Sequence, residues 1–171
     1  MKPLDEILKM ESPSKYLYRY ACKHGRLEFR WEELLLRFED FYWIYSYARD
    51  VIKDRWPEAE EYIVMNPEWA YEYARYVIKE RWKEAEKYIM KDPGYAYCYA
   101  GSVIEGRWKE AEKYIKKDPE WAYLYARHII RGRWLEAEEY MEKNNEVLLK
   151  YLNFLNGIDQ LPEIKISKSH V

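Results

Sequence analysis

The sequence predicts an all-α protein, an α-solenoid of stacked two-helix repeats. Three observations carry this. Trp56, Trp82, Trp108 and Trp134 are 26 residues apart, and each follows an arginine (Arg55, Arg81, Arg107, Arg133). Pro67, Pro93 and Pro119 keep the same interval. Between these markers the apolar residues recur with helical periodicity: Trp69, Ala70, Tyr73, Ala74, Val77 and Ile78 share one side of a helix. A fixed short period implies copies of one supersecondary unit, each burying its apolar face against the next.

Residues 1–13 read as an N-terminal arm, and residues 14–39 as a degenerate capping repeat. In the latter "LYRYAC" echoes "AYEYAR", and Arg30-Trp31 stands 25 residues before Arg55-Trp56. Four 26-residue units fill residues 40–143. Asp40, Asn66, Asp92 and Asp118 open them, and Asn144 opens the segment that follows; Asp and Asn side chains accept the free N–H groups of a first helical turn. Proline follows three of these caps, at the first helical position where its missing N–H costs nothing. Helix A of each unit is expected to span roughly 13 residues. Gly106 and Gly132 serve as C-terminal stops, with weaker stops at Asp54 and Glu80. Helix B starts just after the Trp, with Pro57 in its first turn in the first unit. It should run for roughly 9 to 10 residues and bury Trp82, Ala85, Tyr88 and Ile89 in the second unit. Its early glutamates, such as Glu58 and Glu60, suit the positive end of the helix dipole. Ala74 and Ala85 have counterparts in all four units (Ala48, Ala100, Ala126; Ala59, Ala111, Ala137), so backbones are expected to cross closely there. Helices this short need neighbours to persist. Residues 144–157 supply a C-terminal capping helix with leucines in place of aromatics, and residues 158–171 a tail.

The 171 residues carry 29 basic and 31 acidic side chains, a formal net charge of −2. That balance argues against a globally basic nucleic-acid binder, though not against a local basic patch. Nineteen Tyr and eight Trp give a large aromatic surface to bury. Cys22 and Cys98 are too few for a disulfide framework and lack metal-ligand spacing. The start, "MKPLDEILKMESPSKY", has no apolar signal core, and no stretch reaches the length of a membrane span. A cytoplasmic protein without membrane partners or cofactors is the expectation.

The phrase "DPxWAYxYAxxVIxxRWxEAExYI", as it stands at residues 66–89 (with Asn66 for Asp) and, with small changes, at 118–141, resembles tandem repeats found in uncharacterised proteins of tailed bacteriophages and related viral genomes. The resemblance spans residues 40–143. It implies a phage or viral origin and a binding role. Tetratricopeptide and Sel1-like repeats are similar in architecture only, since the period here is shorter and their glycine signature positions are absent.

Candidate chemistry is sparse. His24, His128 and His170 fall in a cap, a helix A and the tail, and form no metal or catalytic cluster. Cys98 occupies a position held by Ser46, Glu72 and Leu124 in other units, which reads as a tolerant exposed site. Glu84 and Glu86, at i,i+2, point to different sides of a helix and suit dipole complementarity and pairing with the recurrent arginines better than an acid/base dyad. No glycine-rich phosphate loop is present. An enzyme is not expected.

The surface of helix A is more informative. Tyr45, Tyr71, Tyr97 and Tyr123 border the apolar face, and Arg49, Arg75 and Arg127 follow four residues later, with Gly101 breaking the series. Lys53, Lys79 and Arg131 continue the strip, with Glu105 in the third unit. A Tyr–Arg pair at i,i+4 can be a packing ladder or a strip that faces a ligand. The positions Asp50, Tyr76, Ser102 and His128 vary between units, as if the stack did not constrain them. The candidate partner-binding set is therefore the Tyr–Arg pairs at Tyr71/Arg75 and Tyr123/Arg127, with Arg49, Lys53, Tyr76, Lys79, His128 and Arg131. The expected function is a non-catalytic interaction protein that binds, and inhibits, a host protein. The alternative is a binder of an anionic ligand, nucleic acid or nucleotide, through the same strip; a self-assembling structural component is the third possibility.

Overall fold

The computed structural model describes residues 1–158; the tail expected at 158–171 lies outside these residues apart from Ile158. All regular structure within them is helical. A short α1 (Leu4–Leu8) precedes α2 (Pro13–His24) and α3 (Phe29–Arg37). The four repeats then alternate a helix A, namely α4 (Phe41–Tyr47), α6 (Pro67–Tyr73), α8 (Pro93–Tyr99) and α10 (Pro119–Tyr125), with a helix B, namely α5 (Pro57–Ile63), α7 (Lys83–Ile89), α9 (Lys109–Ile115) and α11 (Leu135–Met141). The last helix, α12 (Asn145–Asn156), stands where a fifth helix A would. The units stack into the expected α-solenoid.

Asn66, Asp92, Asp118 and Asn144 cap their helices through side-chain oxygens, whereas Asp40 makes no side-chain cap. The C-terminal end of helix A differs from expectation. Each continues past its α-helical part into one five-residue π turn: Ala48–Ile52, Ala74–Ile78, Ala100–Ile104 and Ala126–Ile130. The N–H of the next residue returns to the alanine carbonyl five residues back. That closure places Lys53, Lys79, Glu105 and Arg131 in the left-handed region, at φ 59°, 61°, 58° and 57°. Gly106 and Gly132, one residue further on, have negative φ and are not the left-handed stops. Helix B starts where expected, with the tryptophan as its N-cap, but is shorter, at seven residues, because it stops at Ile89 and Ile115, just ahead of the Asp that caps the next helix A.

The alanines Ala48, Ala74, Ala100 and Ala126 of helix A, and Ala59, Ala85, Ala111 and Ala137 of helix B, are fully buried. The four tryptophans are buried to within 3 %. Tyr88 and its counterparts Tyr62, Tyr114 and Tyr140 are only half-buried, a correction to the expected helix B core. A-type helices pack on A-type helices of adjacent units, while each helix B packs on helix A of its own unit and of the next. The A row is thus the tighter, inner row, and the B helices splay apart on the outside.

One polar arrangement recurs at every junction. Tyr73 packs its ring against Trp82 of its own unit, 5.3 Å between centroids, and sends its hydroxyl into the preceding unit. There the oxygen accepts the backbone N–H of Trp56 at 2.6 Å, and the O–H donates to Glu60 at 3.3 Å. Arg55 grips the same carboxylate with two N–H donors at 2.8 and 2.6 Å. Tyr99 repeats this with Trp82, Glu86 and Arg81, and Tyr125 with Trp108, Glu112 and Arg107. Tyr151 of α12 does so with Trp134, Glu138 and Arg133. At the N-terminal end Tyr47 accepts from the Leu27 N–H and donates to Glu32, which Arg26 grips. So Arg26-Leu27, not Arg30-Trp31, occupies the Arg-Trp position of the degenerate unit. Glu32 fixes that register, and it puts Trp31 at the third position of α3, where Ala59 stands in α5.

Three outcomes follow from this packing. Trp108→Ala should cost roughly 3–5 kcal/mol and weaken the whole stack cooperatively, since it leaves a cavity between units; denaturant unfolding with an unchanged midpoint would contradict the burial. Gly106→Ala should leave stability level or raise it by up to about 1 kcal/mol, because the glycine is not left-handed and a Cβ there meets nothing within 4 Å; a loss of that size would restore Gly106 as the stop.

The third concerns alkaline pH. Burial pushes the Tyr151 hydroxyl up to about 12, with the N–H of Trp134 opposing and Glu138 adding to the shift. Burial raises Tyr47, Tyr73, Tyr99 and Tyr125 as well. An unfolded tyrosine ionises near pH ~10. Stability from these groups is therefore complete below about pH 10 and is lost as pH rises through the folded values. Tyrosinate absorbance from this set should appear together with loss of helical circular dichroism. Ionisation of every tyrosine near pH ~10 with the helices intact would refute the network.

Candidate functional site

The inner A row carries the strip singled out in the sequence. Tyr45, Tyr71 and Tyr123 have buried rings, so they present a hydroxyl and an edge and not an open stacking face. The exposed arginine four residues on donates to each hydroxyl: Arg49 to Tyr45 at 3.1 Å, Arg75 to Tyr71 at 2.6 Å and Arg127 to Tyr123 at 2.7 Å. Those guanidinium carbons lie 4.9, 5.9 and 6.0 Å from the ring centroids. Arg75 also covers the exposed Tyr76 ring at 4.9 Å, which makes the second unit the densest cluster of candidate residues. Hydrogen bonding to Asp50 raises the Arg49 pKa and lowers that of Asp50, so both are fully charged at neutral pH. Lys53, Lys79 and Arg131 are exposed but stand beyond the helix end in the left-handed residue, so they do not extend the arginine row along one helical face.

Contrary to expectation, Asp50, Ser102 and His128 are tied to the stack, while Tyr76 is exposed and contacts Arg75 of its own unit. The Tyr18 hydroxyl donates to Asp50 at 2.8 Å, Tyr71 shares a hydrogen bond with Ser102 at 3.2 Å, and the Tyr97 hydroxyl lies 2.8 Å from His128 Nδ1. Each is a tyrosine of one unit reaching the next unit's residue at that position. His128 is thus tied to the third unit while its ring remains exposed. Cys98 is half-buried, not exposed, and burial pushes its thiol up. Ser46, at the same position, is buried with no hydrogen-bond partner. At the C-terminal end, Tyr123 and Arg127 meet Lys150, Asn153 and Phe154 around a cleft of about 490 Å³.

The outer row holds cations that the helix A strip does not suggest. Lys83, Lys87 and Lys91 in the second unit and Lys109, Lys113, Lys116 and Lys117 in the third lie on or just beyond α7 and α9. Among the described residues none of these seven forms an ion pair, whereas Arg81 and Arg107 are both committed to glutamates. Lys87 and Lys91 flank the Tyr88 ring at 4.9 and 5.8 Å, and Lys113 and Lys117 flank Tyr114 at 5.0 and 5.9 Å. Where the second and third units carry Lys87 and Lys113, the first and fourth carry Glu61 and Glu139, and where they carry Lys83 and Lys109, the first and fourth have Pro57 and Leu135. This asymmetry is visible in the sequence once each helix B is counted separately; net charge over the whole chain hides it.

Searches against protein-family models, curated proteins and solved structures give no match. Among the described residues no helix is long and apolar enough to cross a membrane.

Proposed function

We propose that the protein is a non-catalytic interaction scaffold whose inner A row binds a protein partner. The observation that carries this is how each unit spends its polar groups. The Arg, Glu and Tyr of every junction satisfy one another, while a second set, Arg49, Arg75 and Arg127, is exposed and already oriented by tyrosine hydroxyls. Arginine and tyrosine are the side chains that most often dominate protein interfaces, and holding them in place beforehand lowers the entropy lost on binding. The likeness of the repeats to those of tailed-phage proteins supports a host protein as the target and its inhibition as the use.

The anionic-ligand alternative draws support from a different surface. Seven unpaired lysines on the outer face of the second and third units favour a polyanion there and not on helix A.

Two charge reversals separate the readings. Arg75→Glu with Arg127→Glu should change stability by only about 1 kcal/mol, since these charges are solvated. The pair should abolish capture of a host protein by the immobilised chain. Lys87→Glu with Lys113→Glu should leave that capture intact and reduce binding of a fluorescent oligothymidylate at low salt. Protein capture lost only with the lysine pair would move the site to the outer row; unfolding of the arginine pair would make those residues internal rungs of the ladder.

A further inference from the structure

The third unit lacks one rung of the arginine series. Where the others carry Arg49, Arg75 and Arg127, it has Gly101, and where they carry Lys53, Lys79 and Arg131, it has Glu105. The consequences are local and consistent. Tyr97 is only half-buried, while Tyr45, Tyr71 and Tyr123 are buried beneath their arginines. Its hydroxyl has His128 Nδ1 as a neighbour at 2.8 Å but no guanidinium donor. A cleft of about 470 Å³ opens at Gly101, bounded by Gly101, Glu105, Gly106, His128, Ile129 and Arg131, and Tyr97 adjoins it through the contact of its hydroxyl with His128. Arg131 stands at the rim, its Nε–H directed at the His128 carbonyl at 3.5 Å. A Cβ at Gly101 would meet only the terminal methyl of Ile129, at 3.3 Å, so backbone does not close the notch.

We propose that this notch is an arginine-binding subsite, in which a guanidinium from the protein partner takes the place that Arg49, Arg75 and Arg127 fill in their own units. The proposal rests on the inner A row being the binding face. The chemistry is that of the neighbouring rungs. A phenol oxygen accepts an N–H, the tyrosine ring edge lies beside the planar cation, and the flanking units already hold arginines at the equivalent place. Glu105 supplies the counter-charge. A carboxylate where the other units have a cation removes a repulsion and offsets the charge of Arg131 at the rim, so the notch is near neutral where the other rungs are cationic. Lysine is the poorer fit, because its compact ammonium lacks the planar fork that reaches two acceptors at once.

The test is an NMR titration of the full chain with N-acetyl-arginine amide, followed at the Gly101 and Gly106 amides and the His128 ring. The lysine and aspartate amides run in parallel. Saturable shifts at these positions are expected for the arginine compound, with the lysine compound weaker by about fivefold or more. Gly101→Arg, which fills the notch from within, should weaken binding by about tenfold or more, and Glu105→Lys by a similar factor. Having two variants keeps the result decisive if one fails to fold. No saturable shift, equal binding by both folded variants, or preference for the aspartate compound would overturn the subsite. Failure here, with host-protein capture still lost in Arg75→Glu with Arg127→Glu, would remove the subsite and leave the face.

Discussion

The stack depends on one hydroxyl per junction. A helical hairpin this short leaves the backbone N–H of its tryptophan and the carboxylate of its helix B glutamate near a surface that the next unit covers. Covering them without partners would cost about 1–3 kcal/mol for the N–H alone and more for the carboxylate. The tyrosine of the following helix A meets both demands with one oxygen, as acceptor to the N–H and donor to the carboxylate. Its ring meanwhile packs against the tryptophan of its own unit. Polar satisfaction and apolar packing are thus held by a single side chain, which fixes the relative placement of neighbouring units. A phenylalanine would keep the packing, orphan the tryptophan N–H and leave the glutamate with its arginine alone.

The arginines divide into two populations that look alike in a list of residues. Arg55, Arg81, Arg107 and Arg133 are bidentate partners of glutamates and belong to the junction. Arg49, Arg75 and Arg127 lean on tyrosine hydroxyls at the surface. The first set completes a buried network; of the second, Arg49 is paired with Asp50, while Arg75 and Arg127 have no acidic partner among the described residues. The seven lysines on or just beyond α7 and α9 form a third group, on the outer row, with no acidic partner among the described residues. A near-neutral chain therefore presents surfaces of quite different character on its two sides.

Much of this was legible beforehand. The 26-residue period, the Asn and Asp caps before proline and the apolar periodicity located the helices, and the recurrent alanines marked the close crossings. The helix ends were not. Gly106 and Gly132 look like left-handed stops, but the π turn spends one more residue per turn and brings Lys79 and its counterparts to that conformation first. Propensity rules carry no term for that widened turn. Arg30-Trp31 matched the repeat in letters, but the degenerate unit is registered by Glu32. The i,i+4 Tyr–Arg pairs followed from helical spacing alone. The links from Tyr71 to Ser102 and from Tyr97 to His128 connect different units, and only the stacking geometry reveals them. The relation of Tyr73 to Trp56 was also present as a constant offset of 17 residues that repeats down the chain.

That offset has a direction. Each tyrosine reaches back, toward the N-terminus, so a unit's tryptophan N–H finds its partner only in residues made later, and its glutamate, held meanwhile by its own unit's arginine, gains a second donor only then. During synthesis on the ribosome every hairpin emerges incomplete and is sealed by the first helix of its successor, one helix behind the growing end. Order therefore advances from the N-terminus in steps of one repeat. The fourth unit has no fifth to seal it, and α12, with Tyr151 as its one repeat-like aromatic in the junction, closes the series.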